Sequence, residues 1–85
     1  MPYTIALETA ARRDLANLER SIGDRVSDAI DRLAHDPRPP GCKKIVATKL
    51  RYRIRVGSYR IIYEVYDASR HVSVKLIRHR SEAYR

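Results

Sequence analysis

Arg51-Tyr-Arg-Ile-Arg-Val-Gly-Ser-Tyr-Arg-Ile-Ile-Tyr-Glu-Val-Tyr66 decides the fold. Arg51, Arg53 and Arg55 alternate with Tyr52, Ile54 and Val56, and strict alternation over six residues reads as a half-buried strand. Gly57-Ser58 follows, and alternation resumes at Tyr59. A Gly-X pair between two such runs is a hairpin turn, because glycine supplies the positive φ of a type II′ turn. With Gly57 and Ser58 as the loop, Val56 faces Tyr59, Ile54 faces Ile61 and Tyr52 faces Tyr63, all on one apolar side. On the other side Arg55 faces Arg60, Arg53 faces Ile62 and Arg51 faces Glu64. Directly opposed arginines repel, so this face is expected to bind an anion. The plainer explanation is a solvated face whose cations block edge-to-edge pairing.

Downstream, Asp67-Ala-Ser-Arg70 reads as a four-residue turn and His71 to His79 alternates. Pairing Tyr66 with His71 continues the core face through Val65–Val72, Tyr63–Val74 and Ile61–Leu76. The other face then joins Glu64 to Ser73, Ile62 to Lys75 and Arg60 to Ile77. This register predicts that His79 falls on the cationic face, beside the Gly57-Ser58 turn.

Upstream, Tyr3, Ile5 and Leu7 suggest a short first strand. Thr9 is a candidate helix cap. Ala11, Leu15, Leu18 and Ile22 recur at helical spacing. Ser21 with Asp24 resembles a capping box that restarts the helix, and Ile22, Val26, Ala29, Ile30 and Leu33 form its apolar stripe. Two antiparallel helices joined near Glu19-Arg20 are expected. Arg12, Arg13, Asp14, Arg25, Asp28, Asp31 and Arg32 are expected on their outer, solvated faces. Asp36-Pro-Arg-Pro-Pro-Gly41 ends the second helix as a stiff connection. Lys43, Lys44 and Lys49 make a basic approach to the hairpin. At the far end, Ser81 is a candidate cap for one last helical turn that brings Tyr84 back towards the sheet.

Eighty-five residues allow one domain, 1–85, with a small core. The formal net charge is +8. It is concentrated: residues 49–85 hold ten basic against three acidic side chains, and residues 1–48 hold eight against seven. Such a half is the footprint of a phosphate-binding surface. Cys42 is the sole cysteine, which excludes an intrachain disulfide and suits a structural thiol. No apolar run approaches the ~20 residues of a membrane helix, and no signal peptide opens the chain, so a cytoplasmic protein with no membrane partner is expected.

His35, His71 and His79 lack metal-ligand spacing, so no metal and no cofactor is expected. Glycine-rich phosphate loops, Ser/His/Asp arrangements and paired carboxylates are also missing. Arginines, one histidine and one tyrosine can still cleave RNA, which carries its own nucleophile, the 2′-hydroxyl. Arginine stabilises phosphoryl charge through its planar fork, yet its pKa above ~12 makes it a poor base. His79 is the candidate acid or base, and Tyr84 could hydrogen-bond or stack on a base. Each has a bland alternative: a surface histidine, a packed tyrosine. Arg51, Arg53, Arg55 and Lys75 on the cationic face, with Lys49 and Arg78 nearby, are the expected RNA contacts.

Asp36-Pro-Arg-Pro39, Lys43-Lys44, Tyr52-Arg-Ile-Arg-Val-Gly57, Tyr59-Arg-Ile-Ile-Tyr-Glu-Val65 and His79-Arg80 through Tyr84-Arg85 together resemble the RelE branch of the RelE/ParE toxin superfamily. The likeness runs in order over nearly the whole chain. It implies an α+β fold: an N-terminal strand, an antiparallel helical hairpin packed on a mainly antiparallel sheet, and a short C-terminal helical turn, similar to microbial ribonucleases. It also implies a type II toxin that enters the ribosomal A site and cuts mRNA by 2′-hydroxyl attack, inhibiting translation. The implied partners are a cognate antitoxin (expected to be acidic and partly disordered), the ribosome and mRNA, with operator DNA bound only by the toxin–antitoxin complex. By position, Arg53 and Arg55 match two basic residues of the second strand that are lysines in well-studied members. Arg60 matches a hairpin arginine, Arg78 or Arg80 the arginine near the last strand, and Tyr84 the C-terminal tyrosine, so Arg60, Arg80 and Tyr84 are expected to be catalytic. Arginine at both 53 and 55 leaves no lysine to act as base, which points again to His79. The ParE branch, which inhibits DNA gyrase by binding and cuts no RNA, is the alternative, and a co-repressor without toxicity is a third.

Overall fold

A computed structural model describes residues 2–45 and 49–81. Strand β1 (Thr4–Leu7) leads into helices α1 (Thr9–Ala16) and α2 (Arg20–Arg32), then β2 (Lys43–Lys44), β3 (Arg51–Val56), β4 (Tyr59–Tyr66) and β5 (His71–His79). The five strands form one sheet in the order β1-β5-β4-β3-β2. Only β1–β5 is parallel. The helices cover one face, as the sequence predicts for an α+β domain.

The core follows from the two periodicities. Ala11, Val26, Ile30 and Leu33 of the helical segment pack on Ile54, Ile61, Tyr63, Val65, Val72, Val74 and Ile77 of the sheet. The β3–β4 register is the one the alternation dictates, from Arg51–Glu64 through Val56–Tyr59. Gly57 has φ +58° while Ser58 stays out of the left-handed region, as a type II′ turn requires.

The β4–β5 register departs from strict alternation. Tyr66–His71 through Tyr63–Val74 pair as expected, but the next partners are Ile62–Leu76, Ile61–Ile77, Arg60–Arg78 and Tyr59–His79. Lys75 is therefore the extra residue of a β-bulge. An unbroken register would turn the Arg78 guanidinium into the apolar layer beneath the helices, where an unpaired charge is costly. The bulge puts Ile77 in the core at 3 % exposure and turns Arg78 to the opposite face.

The helix caps also differ from expectation. Glu8, not Thr9, is the N-cap residue of α1, and no side chain caps it. Glu19 caps α2 instead of Ser21: its carboxylate accepts the Ser21 N–H at 3.3 Å and the Ser21 hydroxyl at 2.5 Å. Lys43 and Lys44 pair with Arg53 and Tyr52 as a short edge strand. The proline-rich connection is tied to the sheet. Tyr63 Oη donates to the Pro37 carbonyl at 2.8 Å. Arg38 lies 5.1 Å from the Tyr52 ring centroid and forms a double hydrogen bond to Asp67, which also accepts from Tyr3 Oη at 2.6 Å. The final helical turn expected after Ser81, with Tyr84 and Arg85, lies outside the described residues.

Candidate nucleic-acid interface

Antiparallel partners point to the same side of a sheet, so the pairings locate each functional side chain. Arg55 on β3 faces Arg60 on β4, which faces Arg78 on β5. Three arginines thus cross the uncovered face in one row. The next row carries Lys43, Arg53, Ile62 and Leu76, and the row beyond it Arg51, Glu64 and Ser73.

These cations are not equivalent. Arg51 is bound to Glu64 at 2.8 Å. Lys75 contacts Glu8 and also lies 3.4 Å from Glu64. Desolvation pushes the Glu64 carboxyl up, but Arg51, Tyr66 and Lys75 outweigh it and hold the group below the usual carboxylate range. Lys75 and Ser73 likewise hold Glu8 low. Arg51 and Lys75, both expected to contact RNA, are therefore compensated by carboxylates, and that end of the sheet is close to neutral.

The other end stays cationic. Arg60 is 2 % exposed and lies beneath the surface of that face. Arg53 is half-buried and Arg55 exposed. With Gly41 and Lys43 they line a cleft of about 280 Å³. Lys49 is exposed just before β3.

Arg78 shares the row but its guanidinium turns to the outer edge of β5. There Nη1 donates to Asp14 Oδ1 at 2.5 Å, while Asp14 Oδ2 accepts the Ile77 N–H at 3.0 Å. Asp14 is thus no solvated outer-face residue. It caps an edge that β1 leaves open, since β1 pairs only with His71–Val74. A lone carboxylate in the first helix gives no sequence signal for this role. Arg80 is exposed, and its N–H donates to the Ser58 carbonyl at 2.7 Å across the turn.

His79 is not on the cationic face. Its partner Tyr59 belongs to the helix-covered side, and the two rings meet edge-on at 5.2 Å. The one-residue shift at Lys75 is the cause. Nδ1 of His79 accepts the Ser81 N–H at 3.3 Å and lies 2.9 Å from Ser81 Oγ. The Ser81 hydroxyl thus engages this ring. Tyr84, the remaining catalytic candidate, lies outside the described residues. Among the described residues no group of three or more His, Cys, Asp or Glu side chains could hold a metal, and no helix is long and apolar enough to cross a membrane.

Residues 5–84 match the family model for the ParE toxin of the type II toxin–antitoxin system parDE. The chain is 33 % identical to toxin RelG of Mycobacterium tuberculosis over 100 % of its length and 99 % of the relative's. It is similar to a chain of the Mycobacterium tuberculosis toxin–antitoxin complex RelBE2, with TM-score 0.82, 29 % identity, and 94 % and 100 % of the two chains covered. The fold also matches a chain of the archaeal RelE–RelB complex of Pyrococcus horikoshii, with TM-score 0.85 at 24 % identity over 96 % and 99 % of the chains. With sequence family and architecture in agreement, the chain belongs to the RelE/ParE superfamily of type II toxin–antitoxin toxins.

Proposed function

We propose that the protein is a RelE-type toxin: a metal-independent, ribosome-dependent endoribonuclease that cuts mRNA and is neutralised by an antitoxin in the cytoplasm. Arg53, Arg55 and Lys43, with the buried Arg60 on the same sheet face, carry this reading. Cations gathered at one end of that face match the oxygens of a phosphodiester, which guanidinium forks bind in pairs.

In the reaction the substrate 2′-hydroxyl loses its proton and its oxygen bonds to phosphorus. The P–O5′ bond breaks and the 5′ oxygen takes up a proton. Arg53 and Arg55 hold the backbone by their forks, and Arg60 adds positive potential under the phosphoryl oxygens. Arg78, fixed by Asp14, and Arg80, fixed at the turn, flank the departing strand at the end of the sheet, while Lys49 meets the incoming one. Tyr84 is assigned the stacking or proton-donating phenol. His79, on the helix side, can take part only where the strand rounds the sheet end.

Purified protein incubated with translating ribosomes tests this reading. The 5′ ends of the mRNA should map inside codons, and intact mRNA overturns the nuclease. The ParE-model match favours one rival, gyrase inhibition by binding alone, which predicts loss of DNA supercoiling with mRNA whole.

A further inference from the structure

The uncompensated charge is not centred on the arginine row. Arg38, Arg51, Lys75 and Arg78 each meet a carboxylate. Among the described residues no carboxylate forms an ion pair with Arg25, Arg32 or Arg55. These three line one cleft of about 290 Å³ between α2 and β3, together with Asp28, Ala29, Val56 and Gly57. Arg25 and Arg32 are seven residues apart, so they lie on one side of α2 and roughly 10 Å apart along its axis.

Two local features fix this arrangement. The guanidinium of Arg25 lies over the β3–β4 turn, 3.6 Å from where a Cβ on Gly57 would stand. Among the described residues β2 pairs only with Tyr52 and Arg53, so the β3 edge past Arg53 has no strand partner, and Pro39–Gly41 leave a further pocket there that Arg32 and Arg55 both line. Arg55 lines both this cleft and the one holding Lys43 and Arg53. A positive track therefore runs from the uncovered sheet face round the β3 edge onto the helices.

We propose that Arg25, Arg32 and Arg55 form a second phosphate-binding cleft, which takes the phosphodiester backbone of folded RNA round the open edge of β3. The inference rests on the nuclease reading for its biological setting, but the cleft itself is tested by binding alone. Guanidinium forks match phosphate oxygens in pairs, and each neutralised phosphate steepens the salt dependence of binding by about one unit of log–log slope. Asp28 lines the same cleft and opposes any anion there, so attraction rests on the three guanidinium groups, and a phosphodiester backbone offers them a charge at every residue.

The experiment measures anisotropy of a labelled RNA hairpin with the intact chain across a salt series. The double variant Arg25→Gln/Arg32→Gln should lower the magnitude of the slope by about 2. Both positions are exposed on α2, and circular dichroism checks that the helix persists. Arg25→Lys/Arg32→Lys should keep the wild-type slope while binding less tightly, because the charge remains and the fork is lost. An unchanged slope in the glutamine variant overturns the proposal. So does a lysine variant that behaves like it, or tighter binding of a polyglutamate peptide than of the hairpin. Ribosome-dependent cleavage by the wild-type chain is scored separately, so loss of the nuclease reading and loss of this cleft give different results.

Discussion

Arg60 and His79 show how much one residue's position decides. Arg60 is nearly enclosed within a row of arginines, and His79 stands on the other side of the same sheet. We expect Arg60→Gln to reduce mRNA cleavage about 10²–10³-fold, the usual cost of removing one group that stabilises developing charge, with single-turnover kinetics as the measurement. His79→Ala should reduce it far less. Equal losses in the two variants would mean that the imidazole reaches the reacting strand after all. Carboxylates set a second expectation. Arg38 and Tyr3 hold Asp67 below its ordinary range, and Lys75 and Ser73 do so for Glu8. A carboxyl whose folded value is depressed contributes stability above its unfolded value, about 4, and loses it as pH falls through the folded value. The urea midpoint should therefore fall on acidification below about pH 4, and Glu8→Gln should flatten that fall.

At the scale of elements, the hairpin was fully legible. Alternation plus Gly57-Ser58 specifies six correct pairs, because a one-residue slip would expose the entire apolar set. The bulge was not legible. Leu76-Ile77-Arg78 breaks the pattern with two adjacent apolar residues, and only the need to keep Arg78 out of the core chooses between registers. Deleting Lys75 should remove the bulge while keeping Ile77 in the core and Arg78 opposite Arg60, so cooperative thermal unfolding followed by circular dichroism should persist. Loss of the cooperative transition would show that the bulge residue itself is needed to seat the strand. Caps were misread for a related reason. Ser21 and Thr9 are common cap residues, but Glu19 offers its carboxylate first. Glu19→Ala should lower the urea midpoint, because the first turn of α2 loses the acceptor of the Ser21 N–H.

For the molecule as a whole, the helical stripes and strand alternation delimit one core, and the order in which the strands assemble follows from it. Leu33 is fully buried where the helical segment meets the sheet. Leu33→Ala should cost about 2–5 kcal/mol, read from the denaturant midpoint. What remained illegible was the division of charge. Composition locates the excess in the second half of the chain, yet it cannot tell that Glu8, Asp14 and Glu64 silence Lys75, Arg78 and Arg51. Those pairings are long-range, and Asp14 meets Arg78 across 64 positions. Nor could it show that Arg25 and Arg32, on a helix that reads as solvated, converge on the β3 edge.

The parallel pairing of β1 with β5 has a consequence for biosynthesis. Among the described strands β1 pairs only with β5, the last of the five in chain order. Its backbone groups must wait in water while everything between them is translated. A truncated nascent chain thus holds an unfinished sheet, and the arginine row gains its third member only when β5 docks. Completion of the basic face is in this way deferred until β5 has been made.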